Sequence, residues 1–182
     1  MKRRSLLDSF AIMAWIQDEP GAQIVEDLLV EARRKHEELL LHEVNLAEVY
    51  YLTIRRTGEE RARRLADQLL SLPLQVVSSS PEILWQAALL KAGYPLSLAD
   101  AFAAATAMIL DAAIITGDPE FRAVADLVEI RWIPSTVVVA AFVIGQNGHE
   151  HDHGSSPRSL AGTPAVPARL SPPLGTSGAS GR

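Results

Sequence analysis

The sequence predicts an α/β fold: a three-layer sandwich with a mostly parallel central sheet of about five strands and helices on both faces. Three observations carry this. Short apolar runs recur along the chain, as strands buried on both faces require. Longer segments with helical spacing separate them. Gly, Pro, Ser, Asn and Asp mark the joints. Strands alternating with helices in this way imply parallel pairing.

Residues 4–7, RSLL, form the first strand and end at Asp8. The stretch SFAIMAWI has helical character and stops before the turn signal Asp18-Glu19-Pro20-Gly21. Over residues 22–36 apolar side chains recur at Ile24, Val25, Leu28, Leu29 and Ala32, the spacing of an amphipathic helix. Leu39-Leu40-Leu41 is the second strand, bounded by Glu37, Glu38 and Glu43. Asn45 opens the next helix, NLAEVYYLTIRR, which ends at Thr57-Gly58 with Arg55 and Arg56 favourably in its last turn. Residues 59–72 make another, striped by Leu65, Leu69, Leu70 and Leu72, and the two read as an antiparallel hairpin around Gly58. Pro73 stops that helix, and LQVVS is the third strand.

Ser80-Pro81-Glu82 starts a helix, with serine as N-cap and proline in the first helical position, and the helix runs to Lys91-Ala92-Gly93. Residues 95–110 hold a small-residue helix, 113–116 the fourth strand, 119–125 a short helix and 127–133 the last strand. The ordered domain is therefore expected over residues 1–134, extending to 145 if STVVVAAFVIG adds a helix or an edge strand. Residues 146–182 turn to Gly, Ser, Pro, Ala and His, too little apolar surface to offset ordering entropy, and read as a disordered low-complexity tail. Its HEHDH tract, His149 to His153, reads as a flexible polar segment or a place for a stray transition metal.

Composition narrows the function. At 182 residues and 48% hydrophobic the chain supports one domain with a sizeable core. No apolar run approaches the roughly 18 residues that cross a bilayer. The opening MKRRSLLDSF is basic and then apolar, but Asp8 breaks the run and Asp18, Glu19 and Pro20 follow, which argues against a signal peptide and for a cytoplasmic protein. The absence of cysteine excludes disulfides, a zinc ribbon and thiol catalysis. A net charge of -5 argues weakly against a broad nucleic-acid-binding face. Basic clusters remain at Arg33-Arg34-Lys35, Arg55-Arg56 and Arg61 with Arg63-Arg64, each readable as solvated helix surface.

Four acids fall where a parallel sheet places its ligands, outside the carboxyl ends of the strands. Asp8 follows the first strand, Glu48 lies in the first turn of the helix after the second, Asp118 follows the fourth, and Asp100 sits in the first turn of its own helix. Each also suits helix capping: Asn45-x-x-Glu48 and Ser97-x-x-Asp100 resemble capping boxes, Asp118 precedes Pro119, and Asp8 precedes a helix beginning at Phe10. Ser80 caps its helix without an acid, so capping does not require one. Converging carboxylates need either protons or divalent cations, for the chain has only three lysines, Lys2, Lys35 and Lys91, none in these motifs. Oxygen ligands without Cys or His favour Mg²⁺ or Mn²⁺ over zinc, and such ions serve phosphodiester hydrolysis.

The segments LLDSFAIMAWI, NLAEVYYLTIRRTG, LSLADAFAAATA and IITGDPEF, in this order, resemble the PIN-domain ribonucleases, and among them the toxins of VapBC-type toxin–antitoxin pairs. The resemblance spans residues 4–134. It implies a PIN-like fold and a single-strand-cleaving endoribonuclease that uses Mg²⁺ or Mn²⁺. It implies Asp8, Glu48, Asp100 and Asp118 as the catalytic and metal-holding acids. Thr116 of the TGD motif and Ser9 are implied to orient an acid or a water. It further implies a homodimer, an RNA substrate and silencing by a cognate antitoxin. The helix pair bearing Arg55, Arg56, Arg61, Arg63 and Arg64 is then a candidate RNA-contacting or dimer element. A PIN-fold binding or regulatory module without catalysis is the alternative. A phosphoacceptor receiver domain is set aside, because Ser78, Ser79 and Ser80 stand where an acceptor aspartate would be.

Overall fold

The computed structural model describes residues 3–135. The apolar runs form five strands: β1 (Arg4–Leu7), β2 (Leu39–His42), β3 (Leu74–Val77), β4 (Ala112–Thr116) and β5 (Ile130–Trp132). All pair in parallel, in the order β3-β2-β1-β4-β5. Six α-helices accompany them: α1 (Ser9–Ile16), α2 (Ala22–Lys35), α3 (Glu43–Thr57), α4 (Glu59–Leu70), α5 (Pro81–Gly93) and α6 (Leu98–Ile109). A short 3₁₀ helix spans Pro119–Val124. The predicted element order is the observed one.

Successive side chains of a strand point to opposite faces, and this splits the core in two. Leu6, Leu40 and Ile114 pack with Ile83, Ala87, Leu90 and Phe102 of α5 and α6. Leu7, Leu41 and Ile115 pack with Ile12, Val25, Leu29, Val49 and Leu69 of α1, α2, α3 and α4. The result is the expected three-layer sandwich. Its alanine-rich α6 is buried nearly all round, since Ala103, Ala104, Ala105 and Ala107 let it lie close against its neighbours.

The chain builds β2 and β3 on one side of β1, then returns to build β4 and β5 on the other. The boundary between β1 and β4 is thus a topological switch point. Helices leave the sheet in opposite directions there and open a crevice at the carboxyl edge.

Three local expectations are corrected. The helix expected from Asn45 begins at Glu43, because the buried His42 caps it: Nδ1 accepts from the Val44 amide at 3.2 Å while the ring stacks on Phe102 at 4.9 Å. Asn45 is therefore no cap, and Glu48 lies in the second turn rather than the first. The helix expected to reach residue 72 stops at Leu70. The Ser71 and Leu72 amides turn back to Gln68 and Leu69, ahead of Pro73, whose ring disfavours helical backbone before it. The last strand starts at Ile130 rather than 127, because the Leu127 and Val128 amides still donate to the Val124 carbonyl. Gly58 joins α3 and α4 at φ 87°, a region that glycine tolerates. The 135–145 run, apart from Ser135, the tail and its histidine tract lie outside the described residues.

Candidate active site

Asp8 occupies the first position past β1, at the switch point. It caps α1, with Oδ1 accepting from the Ala11 amide at 2.8 Å, and is only 1% exposed. The helix begins at Ser9, one residue earlier than expected. Oδ2 is buried and accepts no hydrogen bond. Burial pushes the carboxyl up to about 8, against the lowering effect of the Thr116 side chain and the Ala11 amide, and the charges of Asp100 and Asp118 push it further.

Asp100 is the third residue of α6, its amide donating to the capping Ser97 hydroxyl at 3.1 Å. Burial raises its carboxyl to about 7. The Ser97 hydroxyl opposes the rise, while Asp118, Glu120 and Glu48 add to it. Asp118 caps the 3₁₀ helix by accepting from the Glu120 amide at 2.9 Å, and its own amide donates to Thr116 Oγ1 at 2.9 Å. Glu48 is half-buried on α3 and accepts from the Tyr51 hydroxyl at 3.1 Å.

The four acids thus feel one another across the crevice: Asp8 with Asp100 and Asp118, Asp100 with Asp118 and Glu48. They do not yet form a cage. Among the described residues, no three Asp, Glu or His side chains stand close enough together to hold a metal ion. Nor, among those residues, does any of the four make an ion pair. The donor set is oxygen only, which suits a hard divalent cation.

The glycine of Thr116-Gly117-Asp118 follows from packing. A Cβ on Gly117 would meet the Phe10 ring at 2.5 Å and the Ile133 carbonyl at 3.0 Å, so only glycine lets the chain turn from β4 toward Asp118 there.

Two supporting residues escaped the sequence reading. Asn45 is fully buried, and its Nδ2 donates to Ser9 Oγ at 3.0 Å and to the Ala99 carbonyl at 3.3 Å. It ties α3 to the residues next to Asp8 and Asp100, and so braces the elements carrying three of the acids. Ser9 Oγ in turn donates to the Asn45 carbonyl at 3.4 Å. Glu120 accepts from the Ser97 amide at 2.8 Å, which clamps the start of α6 to the 3₁₀ helix that Asp118 begins. Neither bracing role has a local signature, because both residues act on segments distant in sequence.

The five arginines separate. Arg63 and Arg64 pair with Glu59 and Glu60 one turn back on α4. Arg55 lies over the Tyr51 ring, 5.3 Å from its centroid. Arg56 and Arg61 are exposed.

The sequence matches the PIN domain family over residues 5–127, and the chain belongs to that family. Its fold is also that of solved VapBC toxin–antitoxin proteins. It is similar to Rickettsia felis VapBC2 bound to a promoter DNA fragment (17% identity, TM-score 0.56, covering 71% of this chain and 98% of that one). It is similar to the DNA-bound VapBC of Salmonella typhimurium (16%, 0.57, 71% and 98%). It is likewise similar to VapC20 of Mycobacterium tuberculosis, a sarcin–ricin-loop-cleaving toxin (20%, 0.56, 71% and 99%). A comparison with curated protein sequences gives no match.

Proposed function

We propose that this protein is a Mg²⁺- or Mn²⁺-dependent endoribonuclease and the toxin of a toxin–antitoxin pair, held silent by a cognate antitoxin protein. The observation that carries the reading is Asp8. Its Oδ2 is buried without a hydrogen-bond partner at the switch point of a PIN fold, the carboxyl feels the charges of Asp100 and Asp118, and among the described residues it makes no ion pair. A protein does not ordinarily bury such a group without compensation, and a divalent cation supplies it. The orphaned oxygen and the all-oxygen donor set both fit that ion.

Asp8, Asp100 and Asp118 would hold the main ion, and Glu48 would help to hold a second or position the water. When bound, the ion lowers the pKa of water and stabilises the charge that develops on the phosphate. The chain does the rest. The Ala11 amide fixes one oxygen of Asp8, and the other is left without a hydrogen bond. Asn45 and Glu120 hold α1, α3, α6 and the 3₁₀ helix in register around the crevice. Water adds to phosphorus as the P–O bond to the leaving ribose oxygen breaks, with a proton passing to that oxygen.

The toxin role, RNA substrate and antitoxin partner draw support from the VapBC structures that share this fold, and a homodimer and a cytoplasmic setting belong to the same reading. Among the described residues no helix is long and apolar enough to cross a membrane. The uncaged arrangement of the acids keeps a catalytically silent PIN module as the second reading. Asp8→Asn decides between them: it should cut Mn²⁺-dependent RNA cleavage at least about a hundredfold, with the circular dichroism spectrum retained. Full cleavage by that variant would sink the assignment of Asp8. Failure of the unmodified protein to bind Mn²⁺ in calorimetry would favour the silent module.

A further inference from the structure

Tyr51 is a large aromatic side chain left 42% exposed on α3, one turn beyond Glu48. Its hydroxyl donates to Glu48 Oε1 at 3.1 Å, and the Arg55 guanidinium lies 5.3 Å from its ring centroid, within cation–π range. Glu48, Tyr51 and Arg55 follow one another at helical spacing, so they form one stripe on α3. Asn45 on the same helix bonds the Ala99 carbonyl, next to Asp100, at 3.3 Å, which sets α3 against the crevice, and Glu48 acts electrostatically on Asp100.

We propose that Tyr51, braced by Glu48 and flanked by Arg55, is a stacking platform for an unpaired base of the RNA next to the scissile phosphate. This rests on the ribonuclease reading above and names how the same site selects single-stranded substrate. Arg55 covers one face of the ring, and the part left exposed offers flat surface for a splayed-out base, with the guanidinium supplying positive charge for the neighbouring phosphate. A base inside a duplex presents no free face to such a platform. Arg55 also brings cationic charge beside the ring, which the backbone of an incoming strand requires. Another aromatic–arginine pair, Trp132 with Arg122 at 6.0 Å, links β5 to the 3₁₀ helix. Tyr51 differs from it in meeting one of the four acids, Glu48, through its hydroxyl.

The test measures binding of a fluorescein-labelled single-stranded RNA octamer, and of the same octamer annealed to its complement, by anisotropy in Mn²⁺. It uses Asp8→Asn protein so that the RNA survives. Adding Tyr51→Ala should weaken single-strand binding about fivefold or more and leave duplex binding unchanged. Tyr51→Phe, which keeps the ring and loses the hydroxyl, should bind like its parent. In protein with an intact Asp8, Tyr51→Ala should raise KM on single-stranded RNA and Tyr51→Phe should not. Unchanged single-strand binding by the alanine variant overturns the platform alone. So does equal damage from phenylalanine, which would make Tyr51 a positioning residue for Glu48, or equal loss on the duplex. If the Asp8→Asn parent binds no RNA and the unmodified protein cleaves none, the ribonuclease reading fails as well.

Discussion

The two edges of the sheet carry opposite electrostatics. At the amino edge, charges are exposed and paired. Arg3 reaches Asp111 at 3.0 Å and Glu129 at 3.4 Å, Arg131 meets Glu129 at 2.9 Å, and Lys35 pairs with Glu31. A cavity of about 780 Å³ opens there, lined by both signs of charge. At the carboxyl edge, Asp8 and Asp100 are buried, and both are raised by burial and by neighbouring acids. The first edge is ordinary surface, where ion pairs each contribute little. The second stores unfavourable charge that only a proton or a cation relieves, which is the signature of a site rather than a surface.

The sharpest way to break the contrast is to neutralise one acid. Asp100→Asn should cut cleavage at least about a hundredfold, yet raise the melting temperature of metal-free protein at pH 8, because it removes a buried charge. A lower melting temperature would mean that Asp100 is structural.

The pH dependence follows with an unusual sign. Asp8 and Asp100 are raised to about 8 and about 7, from ordinary values near 3.8. Between those limits the folded, metal-free protein holds protons that the unfolded chain has released. Its stability should therefore fall as pH rises from about 4 to about 8, then level off. Mn²⁺ should reverse the loss above pH 7 and release protons as it binds. Urea titrations across that range, with and without Mn²⁺, check both statements; a stability maximum near pH 8 without metal would contradict them.

A smaller effect tests the bracing of the crevice. Asn45→Ala strips Ser9 Oγ and the Ala99 carbonyl of a buried donor and should cost about 1–3 kcal/mol by denaturant melt. It should also weaken Mn²⁺ binding, although Asn45 is not among the proposed ligands. Smallest of all, Arg3→Ala at the amino edge should cost no more than about 1 kcal/mol and leave Mn²⁺ affinity unchanged.

Much of the fold was legible because its signals are local. Strand runs such as Leu39-Leu40-Leu41, the Ser80-Pro81 start and the Ser97 cap each depend on a few adjacent residues, and all appear as read. Asp8 and Asp118 do cap their helices. Capping and a place in the crevice are compatible, because a carboxylate that gives one oxygen to an amide keeps the other. Asn45 was misread for the complementary reason. Its spacing to Glu48 imitated a capping box, while the true cap, His42, is set by burial and by stacking on Phe102, sixty positions away in sequence.

The sequence by itself determined the order of strands and helices and put an acid at each relevant end, since backbone preference, apolar periodicity and capping act over a few residues. Tertiary structure decided the strand order β3-β2-β1-β4-β5, and with it the switch point at which the strands preceding Asp8 and Asp118 lie side by side. It decided that Asn45 and Glu120 brace the crevice and that Tyr51 stands beside Glu48 under Arg55. It also decided that two carboxyls lose their water and rise toward neutrality, because desolvation depends on what packs around a group and not on which residues flank it in the chain.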